Sequence, residues 1–149
     1  MTREVVVVPP ELRLVDAWEI MKRRKIHHLP VVRGGRLLGM LSDRDVLLRA
    51  RPGPQDEPIV GTKDLVAAAM TPAPYVCGPT THIDELVHTM TEKHIHAIPV
   101  VSDDDKLVGL VTATDLLLLL LSTSSKNPVP FEFTVHETGV PPAPSTDRP

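Results

Sequence analysis

The residues of this chain best suited to chemistry come in two matched sets. Ser42 and Asp45 stand three apart, and so do Thr112 and Asp115. A histidine precedes each set, His27 ahead of Leu29-Pro30-Val31-Val32 and His96 ahead of Ile98-Pro99-Val100-Val101. A carboxylate accepts hydrogen bonds from two neighbouring hydroxyls at once, which a neutral side chain does poorly. A Ser or Thr at the mouth of a helix can accompany it, and the helix amides beyond favour an anion. The imidazoles add donors for that anion. The spacing also has a plainer reading: Ser or Thr with an acid three residues on is a capping box that starts a helix. The two readings are compatible, because one carboxylate can serve both.

Other constellations lead elsewhere or nowhere. His94-x-His96 invites a metal, but no Cys, Asp or Glu completes a coordination sphere at local spacing, so surface histidines are expected. No Ser/His/Asp or Cys/His nucleophile arrangement and no Gly-rich phosphate loop appears, so no enzymatic activity is expected. A net charge of −3 argues against a dedicated nucleic-acid binder. The single cysteine, Cys77, excludes an intrachain disulfide framework and fits a reducing compartment. Glu4 and a short valine run are no signal peptide, and the six leucines Leu116–Leu121 fall far short of the roughly 20 residues of a membrane span. A cytoplasmic protein with no membrane contact is expected.

Elements that could position these residues follow from an internal repeat. Ile26–Val32 returns as Ile95–Val101, and Gly39–Asp45 returns as Gly109–Asp115. The offset of the second pair exceeds that of the first by one position. A single insertion therefore falls between Arg33 and Leu38, where a turn tolerates it. Leu14, Ala17, Trp18 and Met21 draw one apolar helix stripe, and Ile83, Leu86, Val87 and Met90 draw another. Thr81 with Asp84 has the spacing of a capping box for the second helix. Leu29–Val32 and Ile98–Val101 read as short buried strands, followed by polar turns and return strands at 37–41 and 107–111. Closing helices start near Asp43 and Thr114, the second carrying the leucines on a buried face or, in part, at an oligomer interface.

The expected fold class is therefore α/β (α+β): two pseudo-two-fold repeats, each a small sheet with two packed helices, sharing a core because each is near the minimum for independent folding. Repeat 1 spans 1–50, a breaker-rich linker 51–63, and repeat 2 spans 64–121, opening on a short helix at 64–70. Six of the 16 prolines lie beyond Ser122, so 122–149 is expected to be largely disordered, apart from an alternating stretch at 129–136. The apolar stripes around Trp18 and Val87, or the leucine helix, predict a homodimer.

The two copies of Ile-His-x-aliphatic-Pro-Val-Val, a polar turn, then Gly-x-x-Ser/Thr-x-x-Asp strongly resemble a tandem pair of CBS domains, a Bateman module, in a stand-alone CBS-domain protein. Met70-Thr71-Pro72 looks like the usual start of such a repeat, and the likeness covers roughly residues 1–121. The resemblance implies a non-catalytic regulatory sensor needing no cofactor. Its ligand would be an adenosine nucleotide of the AMP/ADP/ATP class, with S-adenosylmethionine or NAD less expected. Carried over by position, one cleft would use Ser42, Asp45, Thr71, Tyr75, Val76 and His96, and the other Thr112, Asp115, Thr2, Val7 and His27. Such modules commonly pair as a disc, and any output would pass to a regulated protein acting in trans. The alternative is a structural dimerisation or interaction module whose clefts stay empty.

Overall fold

The computed structural model describes residues 4–123. Thr2 and the stretch at 129–136 lie outside the described residues. Two helix–strand–strand–helix units follow one another. The first has α1 (Leu14–Arg24), β1 (His28–Arg33), β2 (Arg36–Ser42) and α2 (Asp43–Leu47). A small hairpin, β3 (Arg51–Pro52) with β4 (Pro58–Ile59), occupies the expected linker. Then come α3 (Val66–Ala69), β5 (Thr71–Pro72), α4 (Ile83–Lys93), β6 (Ala97–Val101), β7 (Leu107–Thr112) and α5 (Ala113–Thr123).

The prolines in the paired strands explain how each small sheet is closed. A short approach segment lies parallel to β1, with Val8 N donating to Pro30 O and Val32 N donating to Val8 O. Cys77 repeats the arrangement on β6, between Pro99 O and Val101 N. Each proline offers its carbonyl on that edge, where its missing N–H is not called upon. The two hairpins diverge where the insertion falls. Gly34 and Gly35 both take positive φ in a two-residue turn, whereas the longer loop of the second repeat places only Asp105 there.

The halves are joined by strand exchange, and the core they share is the first unit's, which takes in the opening of the second repeat. β5, the opening of the second repeat, pairs antiparallel with β2 through Gly39↔Pro72 and Met40↔Thr71. The hairpin tips also touch, with Leu107 N donating to Gly35 O. The buried side chains form two clusters. One gathers Leu14, Ala17, Met21, Leu29, Val31, Leu41 and Val46 with Val60 and Val66, so α3 packs on the first unit. The other has three buried residues, Leu86, Met90 and Ile98.

Two further expectations are corrected. α4 is capped by His82 with no side-chain bond, because the Thr81 hydroxyl accepts from Gly78 N at 3.1 Å and closes the preceding turn instead. The leucines of α5 are not a buried face. Leu116 packs on the second cluster, but Leu117–Leu121 are 40–75% exposed. The small two-stranded sheet behind them is too narrow to cover an eleven-residue apolar helix.

Gly39 is the position on which the strand exchange turns. A Cβ there would meet Thr71 O and Met70 Sδ, each at 2.7 Å, whereas at the aligned Gly109 the nearest atoms are Val100 carbons at an ordinary 3.5 Å. Gly39→Ala is expected to lower stability by about 1–3 kcal/mol, as overpacking against backbone does. Gly109→Ala should change it by no more than about 0.5 kcal/mol. Urea unfolding of the two variants checks this; equal losses would contradict the role given to β5.

Candidate functional site

Each histidine is delivered to a helix mouth by backbone bonds. α1 and α4 end on non-glycine residues in the left-handed region, Lys25 (φ 53) and His94 (φ 54). This reverses the chain so that Ile26 N donates to Met21 O and Ile95 N to Met90 O. His27 and His96 come immediately before the strands that follow, and their carbonyls accept from Asp43 N at 3.0 Å and Ala113 N at 2.9 Å. Those amides open α2 and α5, so each imidazole stands beside the capping box of its own repeat.

Both boxes are made, but they differ. Asp45 Oδ2 accepts from Ser42 N at 2.7 Å and from Ser42 Oγ at 2.8 Å, while Asp45 N donates back to Ser42 Oγ at 3.2 Å. Asp115 Oδ2 accepts from Thr112 N at 2.8 Å, and Asp115 N donates to Thr112 Oγ1 at 3.3 Å. The capping role read from the sequence is thus real in both copies.

The two clefts expected from the repeat form one continuous cavity of about 970 Å³ between the halves. Ser42, Thr71, Tyr75 and His96 line it, as do Thr112, Asp115 and His27. Asp45 does not. Val7 and Val76 do not line it either, being 44% and 49% exposed on the outer face of segments whose alternation buries Val8 and half-buries Cys77. Their neighbours Val6 and Tyr75 line it instead.

Several lining residues were not assigned to the site by sequence. Lys25 and His94 reach it from the two helix ends, and Arg44 and Thr114 from the first turns of α2 and α5. Their equivalent positions in the two repeats were the available signal. Asp43 is a further one: its Oδ2 lies 2.8 Å from His27 Nδ1 and fixes that ring, whereas the aligned residue in the second repeat is Ala113. Tyr75, 52% exposed and on the cavity lining, has Lys93 Nζ 5.8 Å from its ring centroid, a cation–π contact. Among the described residues no group of three His, Cys, Asp or Glu is placed to hold a metal ion.

The imidazole of His28 is perturbed. Burial pushes it below the ordinary histidine value of 6.5; His27 and His96 add repulsion, while Asp43 and Asp45 pull the other way. A base with a lowered folded pKa contributes stability that is complete above 6.5 and is lost as pH falls through the folded value. The thermal midpoint should therefore drop more steeply between about pH 7 and about pH 5 in the wild type than in His28→Gln. Parallel melting profiles would show that His28 does not contribute.

A family model of the CBS domain matches residues 1–51 and 63–122. The CBS domain-containing protein YhcV of Bacillus subtilis is 31% identical over 129 residues, covering 84% of this chain and 85% of that protein. The inosine-5'-monophosphate dehydrogenase of Korarchaeum cryptofilum is 35% identical over 114 residues, which cover 76% of this chain but only 22% of the dehydrogenase. The likeness is therefore to one part of that enzyme. The structure of CBSX2 in complex with AMP matches with a TM-score of 0.72 at 25% identity, covering 83% of this chain and 93% of that one. With the repeated strands, the exchanged β5 and both capped helix mouths in place, the chain belongs to the CBS-domain family as a tandem pair of CBS domains.

Proposed function

We propose that the cavity between the repeats binds an adenosine nucleotide of the AMP/ADP/ATP class, and that the protein is a non-catalytic regulatory module whose contacts change with occupancy. The observation that carries this is the convergence of both helix mouths, both pre-strand histidines and Tyr75 on one cavity of about 970 Å³. Its size suits a nucleotide. The complex of CBSX2 with AMP supports the same ligand class.

Each part of the ligand has a partner of suitable chemistry. Asp115 accepts from the ribose hydroxyls with Thr112 beside it, and the face of Tyr75 stacks on the base. Lys25, His28, Arg44, His94 and His96 supply positive charge or donors for phosphate. Asp45 is the weaker candidate for ribose, since it does not line the cavity whereas Asp115 does.

The assembly is a homodimer that buries the apolar face of α4 and α5. Ile83, Val87 and Leu117–Leu121 are all 40% exposed or more, an apolar surface of the kind that marks a contact site. No helix among the described residues is long and apolar enough to cross a membrane.

Asp115→Ala is expected to weaken AMP or ATP binding about tenfold to a hundredfold, the loss of a charge-assisted bond of about 1.5–3 kcal/mol, with a smaller effect for Thr112→Ala. Asp45→Ala should mainly cost stability, about 1 kcal/mol, as a lost cap does. Calorimetric titration beside melting curves separates the two, with Asp115→Asn as a variant that keeps a capping oxygen. An unchanged dissociation constant in Asp115→Ala would reduce Asp115 to a cap. If none of AMP, ADP, ATP, NAD or S-adenosylmethionine raises the melting point, the interaction module with an empty cleft replaces this reading; a binder at 100 times its dissociation constant adds about 2.7 kcal/mol.

Sedimentation velocity tests the assembly. The wild type is expected as a dimer at roughly 100 µM, and Val87→Glu with Leu120→Glu as a folded monomer. A monomeric wild type with and without nucleotide would overturn it.

A further inference from the structure

The connection between the repeats holds a second cavity, away from the cleft. Its volume is about 360 Å³, and Arg49, Arg51, Ile59, Thr62, Lys63 and Asp64 stand on its wall. Arg49 is held in place, its guanidinium donating to Ala68 O near the end of α3. Arg51 is set on β3 opposite Ile59. Among the described residues, none of the three cations makes an ion pair with a carboxylate. The nearby Glu57 is turned to the Gln55 amide at 2.8 Å, and Asp64 leans on Gly61, where an added Cβ would lie 2.9 Å from its Oδ2.

Backbone donors add to the charge. The amides of Gly61, Thr62 and Lys63 make no hydrogen bond to protein among the described residues. With Asp64 counted, the pocket carries two net positive charges in a chain whose net charge is −3. The charge is thus a local concentration rather than a share of a basic surface. Two guanidinium forks suit a tetrahedral oxyanion, which they meet with paired donors, and the ammonium of Lys63 completes the match to a dianion. Half-exposed Ile59 offers apolar contact for whatever carries the anion.

We propose that this pocket is a binding site for a dianionic phosphoryl group, separate from the nucleotide cleft. Its ligand is a small phosphomonoester or inorganic phosphate. α3 packs on the first core and leads directly into β5, so occupancy here bears on the strand that lines the cleft.

The test is a two-dimensional amide spectrum of the full chain, titrated at constant ionic strength with inorganic phosphate, phenyl phosphate and, as a carboxylate comparison, succinate. The expected result is saturable shifts at Arg51 and Gly61–Lys63, with a dissociation constant of roughly millimolar or below. Tighter binding of phenyl phosphate than of inorganic phosphate would identify the ester as the natural form. Arg51→Gln with Lys63→Gln should weaken binding about tenfold or more, and Lys63→Gln alone by less. AMP titrated in the same samples is read at His27 and Thr112, so failure of the cleft and failure of this pocket are distinguishable. Linear shifts without saturation, equal shifts with succinate, or unchanged affinity in the double variant would overturn the site.

Discussion

Two backbone residues of the second repeat, Thr71 and Pro72, pair with Gly39 and Met40 of the first, and the cleft is built on that short ladder. It holds the halves together where their buried clusters do not merge. It also sets Thr71, and through it Pro74 and Tyr75, at the cavity wall. The approach is so close that the partner residue has no room for a side chain, since a Cβ on Gly39 would lie 2.7 Å from Thr71 O. A glycine in a strand usually weakens it. Here it admits the neighbouring strand.

The helix mouths show how one set of residues serves folding and recognition together. A capping box satisfies amides that would otherwise be orphaned, and it places a hydroxyl and a carboxylate at the positive end of the helix. Duplication supplied two such mouths, and small differences have since separated them. Asp115 lines the cavity and Asp45 does not, although each carboxylate accepts from the amide three residues before it. His27 meets Asp43, and the matching position beside His96 is Ala113. Such differences make two sites of common origin unequal in charge.

A second asymmetry concerns packing. The first unit recruits α3 and Val60 to its core, and its closing helix is only five residues long. The second unit has a smaller core and an eleven-residue closing helix with no buried residue. Burying a leucine contributes about 1.5–3 kcal/mol. Five exposed ones are a substantial driving force for association, concentrated on the unit that is less complete alone.

Much of this was legible in the chain itself. The switch from helical to strand period, given twice, determined two helix–strand–strand–helix units, because side-chain periodicity is a local property of the backbone. The Ser/Thr and Asp pairs announced both caps, because a capping box is a local motif within one turn of chain. Three-dimensional packing decided what depends on distant partners. That the two clefts would merge, that Asp115 would line the cavity and Asp45 would not, and that Lys25 and His94 would reach the same cavity from two helix ends are matters of orientation between halves. So is the exposure of Leu117–Leu121, since a run of six leucines reads as core wherever the sheet behind it is wide enough to cover it. Local spacing specifies which atoms can bond within a turn or two of chain; which way they finally point is set by contacts between one repeat and the other, far apart in sequence.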